Sequence, residues 1–258
     1  MSISLSICVL DRLHLKIDVL TTFPAIFDSY MSESMMKLAQ KKSLLEFKTY
    51  DLRDWTHDSH RTTDDYIYGG GDGLVMKCEP IFEAVDDIVE DQAKTRIVIP
   101  APQGKVFDDK VATHLSKSEH LLFICGHYEG IDERVYSLAD DVISIGDYVL
   151  TSGELSTQVI IDAIVRKIPG VLGAADGAEK ESFVECLLEH PQYTRPSEYR
   201  GLEVPQVLLD GNHAEIEKFN RQEAIKRTWK NRPDLIEVAL RKDILSKSDI
   251  DYLNTLKG

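Results

Sequence analysis

The stretch "SIGDYVLTSGEL", residues 144–155, joins an apolar run to a segment of helical character through a loop that carries Gly146 and Gly153. Strand, glycine-bearing loop, helix is the layout of a cofactor pocket, because glycine lets backbone approach a ligand closely. The stretch is not the dinucleotide fingerprint, and it lacks the lysine of a phosphate-binding loop. Two further loops stand at the ends of apolar runs, "PAPQG" (100–104) and "GHYEGIDE" (126–133). Tight loops of this kind present backbone amides and carbonyls that can match the edge of an adenine ring. A fourth segment, "HDSHRTTDDYIYGGGDG" (57–73), is long, polar and ends in a glycine cluster. As a phosphate cradle it is weak, since no Lys-Ser/Thr pair follows, and a hairpin tip is the plainer reading.

The elements that must position these loops follow from periodicity. "LKIDVLTTF", "LEFKTYDL", "TRIVIP", "HLLFICG" and "DVISIG" read as strands. Phe23, Ile26, Phe27, Tyr30, Met31, Met35 and Leu38 recur at helical spacing, with Pro24 at the expected helix start. Ile81, Val85, Ile88 and Val89 share one helical face, and "DKVATHLSKS", "DERVYSLA" and "ELSTQVIIDAIVRK" read as further helices. Strands alternating with helices predict an α/β fold with a mostly parallel sheet. Ligands of such sheets sit beyond the carboxyl ends of the strands. From Gly170 the texture changes: "GVLGAADGAEKES" reads as a linker, "HPQYTRPSEYRG" as a polar loop, and residues 211–258 as helices without strands.

The 258 residues carry 30 basic and 44 acidic side chains, a net charge of −14. That balance argues against wholesale nucleic-acid binding, but its distribution is uneven. Residues 205–258 hold ten basic and nine acidic side chains, so the excess of acid lies upstream. Within "KFNRQEAIKRTWKNR" (218–232) six basic residues meet one acidic residue, interleaved with Phe219 and Trp229. Such a stripe can grip phosphates and stack on bases; it reads equally as a solvated helix face. Cys8, Cys78, Cys125 and Cys186 are far apart and form no C-x-x-C pair, so neither zinc nor a disulfide framework is expected. No window is long and apolar enough for a membrane span, and the N-terminus lacks a basic n-region, which makes the cytoplasm the expected compartment.

Taken together, "TTFPAIF", "TTDDYIYGGGDG", "PQG", "CGHYEGIDERV", "SIGDYVLTSGEL", "IDAIVRKIPGVLG", "HPQYTRP" and "VPQVLLDGNHAEIEKF", in this order, resemble the bacterial tRNA (guanine-N1)-methyltransferase family of trefoil-knotted methyltransferases. The resemblance implies S-adenosylmethionine as methyl donor, methylation of the guanine just 3′ of the anticodon (position 37), a homodimer with active sites at its interface, and a knot. It implies an extension at residues 1–15, a knotted donor-binding domain at 16–170, a flexible linker at 171–184 and a helical tRNA-binding domain at 185–258. Family members begin near a Met-Lys-Ile that corresponds to Leu15, Lys16 and Ile17, so the first fourteen residues are expected to be dispensable.

By the same resemblance, three loops hold the donor. Pro102, Gln103 and Gly104 match the first; Gly126, Tyr128, Glu129 and Gly130 the second; and Ser144, Ile145, Gly146, Asp147, Tyr148, Val149, Leu150 with Gly153 the third. A β-branched side chain at 153 is expected to fill space left for the ligand. Neutral guanine carries a proton on N1, and its removal pushes charge onto O6, so a carboxylate base and a cation near O6 are required. Arg166 falls on the family's catalytic arginine, and Glu181 on its general base, which is usually aspartate. No metal ligand is expected, and a magnesium requirement cannot be read from the residues. Ser152, Ser156, Asp72 and the pair Phe219-Asn220 depart from the family pattern, the last replacing a Trp-Arg pair. The alternatives are a knotted methyltransferase acting on another RNA nucleotide and a non-catalytic RNA-binding relative.

Overall fold

The computed structural model describes residues 14–71, 73–172 and 181–257. The chain divides into two compact units, Met1–Ala175 and Asp176–Gly258. The expected extension lies, for residues 1–13, outside the described residues, as do Asp72 and residues 173–180 of the expected linker.

In the first unit, strands β1 (Leu15–Thr21) and β2 (Leu45–Asp51) flank helices α1 (Asp28–Met31) and α2 (Ser34–Lys41). A short antiparallel hairpin, β3 (Asp64–Tyr66) and β4 (Leu74–Met76), follows, and α3 (Cys78–Ile88) leads into β5 (Thr95–Val106). Then come α4 (Asp109–Leu115), β6 (His120–Ile124), a 3₁₀ turn (Glu133–Leu138), β7 (Asp141–Ser144) and α5 (Gly153–Val165). Five strands pair in the order β2-β1-β6-β5-β7, and all four pairings are parallel.

The period of two along the strands builds two cores. On β6, Leu121 and Phe123 join Ile17, Val19 and the inner faces of α2 and α5. Leu122 and Ile124 point the other way and join Leu20, Ile97, Ile99 and the Ile81–Val85–Ile88 stripe of α3. Strands covered on both faces read as near-continuous apolar runs, which is why "HLLFI" is buried at every position.

Two expectations are corrected. The helical face predicted from Phe23 to Leu38 is broken into a 3₁₀ turn (Pro24–Phe27), α1 and α2. Glu33 is extended and Ser34 has φ +48°, and the Ser32 hydroxyl donates to the Ser29 carbonyl at the end of α1. Phe27, Met31 and Met36 are buried, whereas Phe23, Ile26 and Leu38 are partly exposed. The strand read as "TRIVIP" runs on to Val106, because β5 meets β7 twice. Both Pro100 and Lys105 register with Ile143, and residues 101–104 bulge out between them. That bulge is the first of the three loops.

The second unit has a two-stranded hairpin, β8 (Glu198–Tyr199) and β9 (Leu202–Glu203), whose first strand and turn fall in the segment read as a polar loop. Helices α6 (His213–Asn231), α7 (Pro233–Arg241) and α8 (Lys247–Lys257) follow. Their core joins Ile225, Ile236, Ala239, Leu245 and Leu253.

Candidate active site

A cavity of about 160 Å³ opens at the carboxyl ends of β5, β6 and β7. Pro100–Pro102, Gly126–Ile131, Tyr136, Ile143–Gly146, Tyr148–Gly153 and Ser156 form its wall. Among the residues matched to donor binding, Pro102, Gly126, Tyr128, Glu129, Gly130, Ser144, Ile145, Gly146, Tyr148, Val149, Leu150 and Gly153 line it together. Gln103, Gly104 and Asp147 are not part of that wall. Gln103 instead hydrogen-bonds the Tyr136 hydroxyl, whose pKa burial pushes up and this bond partly restores. Gly104 serves strand packing, since a Cβ there would lie 2.5 Å from Ile143 N.

The loops are tied to one another before any ligand is considered. Gly153 N donates to Gly126 O at 2.7 Å, where α5 begins. A Cβ on Gly153 would stand 2.8 Å from Gly126 N and 3.1 Å from Cys125 Cα. The glycine is therefore demanded by backbone packing between the second and third loops, not by space left for a ligand as the sequence suggested. Ser156, where the family has proline, donates to Gly153 O at 2.8 Å and closes the first turn of α5. Tyr128, a non-glycine residue at φ +59°, sits at the bend of the second loop. Backbone held in this region collects at ligand clamps.

The glycine-rich hairpin is anchored to the same cavity, which its sequence did not announce. Met76 N donates to Gly130 O at 3.0 Å, and Glu129 N donates to Leu74 O at 3.1 Å. A Cβ on Gly73 would meet Glu129 Cγ at 2.4 Å. Burial and the Asp64 carboxylate, which accepts from the Tyr128 hydroxyl, raise the Tyr128 pKa. Tyr66 and Tyr68 at the hairpin tip are 84% and 99% exposed.

His127 is a wall residue that the motif matching passed over, although it sits within "GHYEG". Its Nδ1 is buried and without a hydrogen-bond partner among the described residues. Phe23 and Tyr128 hold its ring, at centroid distances of 5.0 and 4.6 Å. Backbone-rich loops and an apolar wall suit a donor with an adenine ring and a flexible polar tail.

Arg166 caps the C-terminus of α5 and lines a neighbouring groove of about 610 Å³ with Tyr30, Gln158 and Asp162. Ile145, Tyr148 and Leu150 belong to both the groove and the donor cavity. The Tyr30 hydroxyl donates to Asp162 Oδ2 at 2.5 Å, and burial together with this bond raises the Tyr30 pKa strongly. Leu155 and Val159, on the same helix, are each 51% exposed. Glu181 is half-buried and belongs to the second unit.

In that unit three of the six basic side chains of the stripe are held in ion pairs. Arg221 pairs with Glu185 and Asp249, Lys226 with Glu223, and Arg232 with Asp234. Trp229 packs against the helical core instead of standing free as a stacking platform. Among the described residues no cluster of three His, Cys, Asp or Glu could hold a metal ion, and no helix is long and apolar enough to cross a membrane.

A parallel sheet whose carboxyl ends carry three interlocked loops defines a nucleotide-type cofactor site of the α/β class. Residues 15–238 match the family described as tRNA (guanine-1)-methyltransferase TrmD, and the chain belongs to that family. Family membership carries the trefoil-knotted topology and S-adenosylmethionine as methyl donor. The chain is 49% identical over 243 residues to the tRNA (guanine-N(1)-)-methyltransferase of Dictyoglomus turgidum, covering 94% of this chain and 97% of the relative. The proteins of the same name from Moorella thermoacetica and Bacillus pumilus are each 50% identical over 225 residues, 86% of this chain and 90% and 92% of theirs.

Proposed function

We propose that this chain methylates N1 of the guanine just 3′ of the anticodon in tRNA, at position 37. The single observation that carries the reading is the cavity formed by the three loops, within a chain that matches the family from residue 15 to residue 238. S-adenosylmethionine supplies the methyl group. The walls Gly126–Ile131, Ser144–Gly146 and Tyr148–Gly153 hold the donor.

Arg166 steadies the charge that develops on guanine O6, and Glu181 accepts the N1 proton. A cation aimed at developing charge in a water-poor site is worth far more than the same cation in bulk water. The groove beside Arg166 is suited to the target base because it shares Ile145, Tyr148 and Leu150 with the donor cavity. The helical second unit, residues 176–258, binds the tRNA. The chain works as a homodimer whose interface covers Leu155 and Val159, side chains left half-exposed on α5. The cytoplasm is where such a substrate is met.

Methyl transfer to a tRNA carrying guanine after the anticodon, against the same tRNA with that guanine changed to adenine, tests this reading. Transfer to the first only is the expected result; equal transfer to both would redirect it to another nucleotide.

A further inference from the structure

Glu181 opens a strained loop of the second unit. Val184 N donates to Glu181 O at 3.4 Å, Cys186 N to Phe183 O at 3.2 Å, and Phe183 N to Leu187 O at 2.8 Å, so tight turns follow the glutamate in succession. Phe183 and Cys186 stand at φ +80° and +55°, in the left-handed region that side chains larger than glycine rarely enter. Backbone of this kind persists only where its surroundings over-determine it, and it collects at functional sites.

The surroundings here are side chains of α6. Thr228 Oγ1 accepts from Leu188 N at 2.8 Å, and Arg227 Nη1 donates to Glu189 O at 3.2 Å, which fixes the far end of the loop. Arg221 grips it closer to Glu181, with Nη1 donating to Glu185 Oε2 at 2.6 Å. Its Nε and Nη2 donate to Asp249 Oδ2 at 3.2 and 3.1 Å, and Asp249 is buried at the start of α8. One planar guanidinium thus spans two carboxylates, a geometry that its rigid fork of donors allows and a single ammonium does not. The Glu185 side chain is 60% exposed, and an ion pair that open to water adds little to overall stability. What the contact does fix is where the turns after Glu181 lie.

We infer that Arg221 is a positioning residue for methyl transfer: anchored on Asp249, it holds Glu185 and, through the intervening turns, the backbone that aims the Glu181 carboxylate. The inference rests on the reading of Glu181 as general base and deepens it. Glutamate has one more rotatable bond than the aspartate usual at this place in the family, so its carboxylate has more rotamer freedom to lose and gains more from a fixed backbone.

The test uses the full chain and a tRNA transcript with guanine after the anticodon, in single turnover with donor and tRNA both saturating. Glu185→Ala cuts the contact on the loop side and leaves the Arg221–Asp249 pair in place. It is expected to slow transfer roughly 5- to 100-fold, the scale of a small misplacement of a reacting group, with the donor Kd unchanged. Arg221→Lys is expected to be similarly slow. Glu185→Gln keeps an acceptor for Arg221 Nη1 and should recover most of the parental rate. In a Glu181→Gln background, Glu185→Ala should cost nothing further, because it acts only through the base already removed. Parental rates in Glu185→Ala and Arg221→Lys beside a slow Glu181→Gln would overturn the positioning role alone. So would a full additional loss in the double variant, or an effect confined to the KM for tRNA, which would make Arg221 a substrate contact. Parental turnover by Glu181→Gln would overturn the base and the positioning role together. Glu185 lies at the surface, so its variants answer the question even where Arg221→Lys folds poorly.

Discussion

Thr21 Oγ1 donates a 2.6 Å hydrogen bond to Glu154 Oε1 across 133 residues of chain. The bond joins the last residue of β1 to the first turn of α5, and both side chains are fully buried. Arg53 Nη1 donates to the next carbonyl, Thr22 O, so the strand end is held from both sides. The other carboxylate oxygen, Oε2, has no partner among the described residues. Besides the Gly153–Gly126 and Ser156–Gly153 bonds, the start of α5 is thus tied to β1 by this one short bond. Thr21→Val keeps the shape and leaves both oxygens unpaired. We expect a loss of about 1–3 kcal/mol in urea unfolding, and a change below 0.5 kcal/mol would mean that Glu154 finds another partner.

Gly153→Val is expected to abolish S-adenosylmethionine binding and also to lower the melting temperature. A Cβ at 2.8 Å from Gly126 N forces the second and third loops apart, and no flexible side chain is there to give way. Gly153→Ala already introduces that Cβ and should lose much of the affinity. Equilibrium dialysis with labelled donor reads the first effect and thermal denaturation the second; parental affinity in a folded Gly153→Val would contradict the loop contact.

Removing Arg166 or Glu181 should hurt the chemical step more than donor binding. Loss of a general base costs about 10²–10⁴-fold in rate, and loss of a charge-stabilising donor about 10²–10³-fold. Glu181→Gln removes basicity and is expected to be nearly as slow as Glu181→Ala, whereas Glu181→Asp should stay active. Arg166→Lys should be slow, because an ammonium does not reproduce the planar guanidinium. If the two residues meet across a dimer, mixing Arg166→Ala with Glu181→Ala restores one intact site, and single-turnover methylation reappears. Turnover by Glu181→Gln at the parental rate would assign the base elsewhere.

Asp249 gives the second unit an acid-sensitive clasp. Burial alone works to raise its carboxyl, but the Arg221 guanidinium and the Ser246 donors outweigh it and hold the group below the usual carboxylate range. Ser246 N donates to Asp249 Oδ2 at 3.0 Å, while Asp249 N donates back to Ser246 Oγ at 3.2 Å. This reciprocal pair caps the start of α8. A carboxyl whose pKa is depressed in the folded state adds stability above its unfolded value, near 3.9, which is lost as pH falls through the folded value. Asp249→Asn should therefore cost about 1–2 kcal/mol at pH 7, with the gap to the parent closing below about pH 4. Hydrogen exchange of α8 amides at the two pH values measures it, and a gap independent of pH would rule out the carboxylate as its source.

Much of the central sheet was legible in the chain because its strands are short apolar or alternating runs bounded by turn residues, and "HLLFI" or "DVIS" admits little else. The helical face from Phe23 to Leu38 misled because spacing records which side is apolar and not whether the backbone is continuous. Ser32, Glu33 and Ser34 break it, and Phe23 turns from the core to stack on His127. The two readings of the basic stripe could not be separated in the chain, since a count of charges cannot reveal that Arg221 is claimed by Glu185 and Asp249.

By itself, then, the sequence determined the alternation of strands and helices, the three glycine-bearing loops, and through the order of its motifs the family. Those properties are local: they depend on side-chain period, on turn chemistry and on residue identity at fixed spacing. The tertiary structure decided what is long-range. It made Gly153 a backbone contact with Gly126, placed the bulge of residues 101–104 by pairing β5 twice with Ile143, and pinned the glycine hairpin to Glu129 and Gly130. It also left His127 Nδ1 and Asn220 Oδ1 buried without partners among the described residues. A hydrogen bond left unmade is a relation among many residues in space, and no pattern along the chain encodes it.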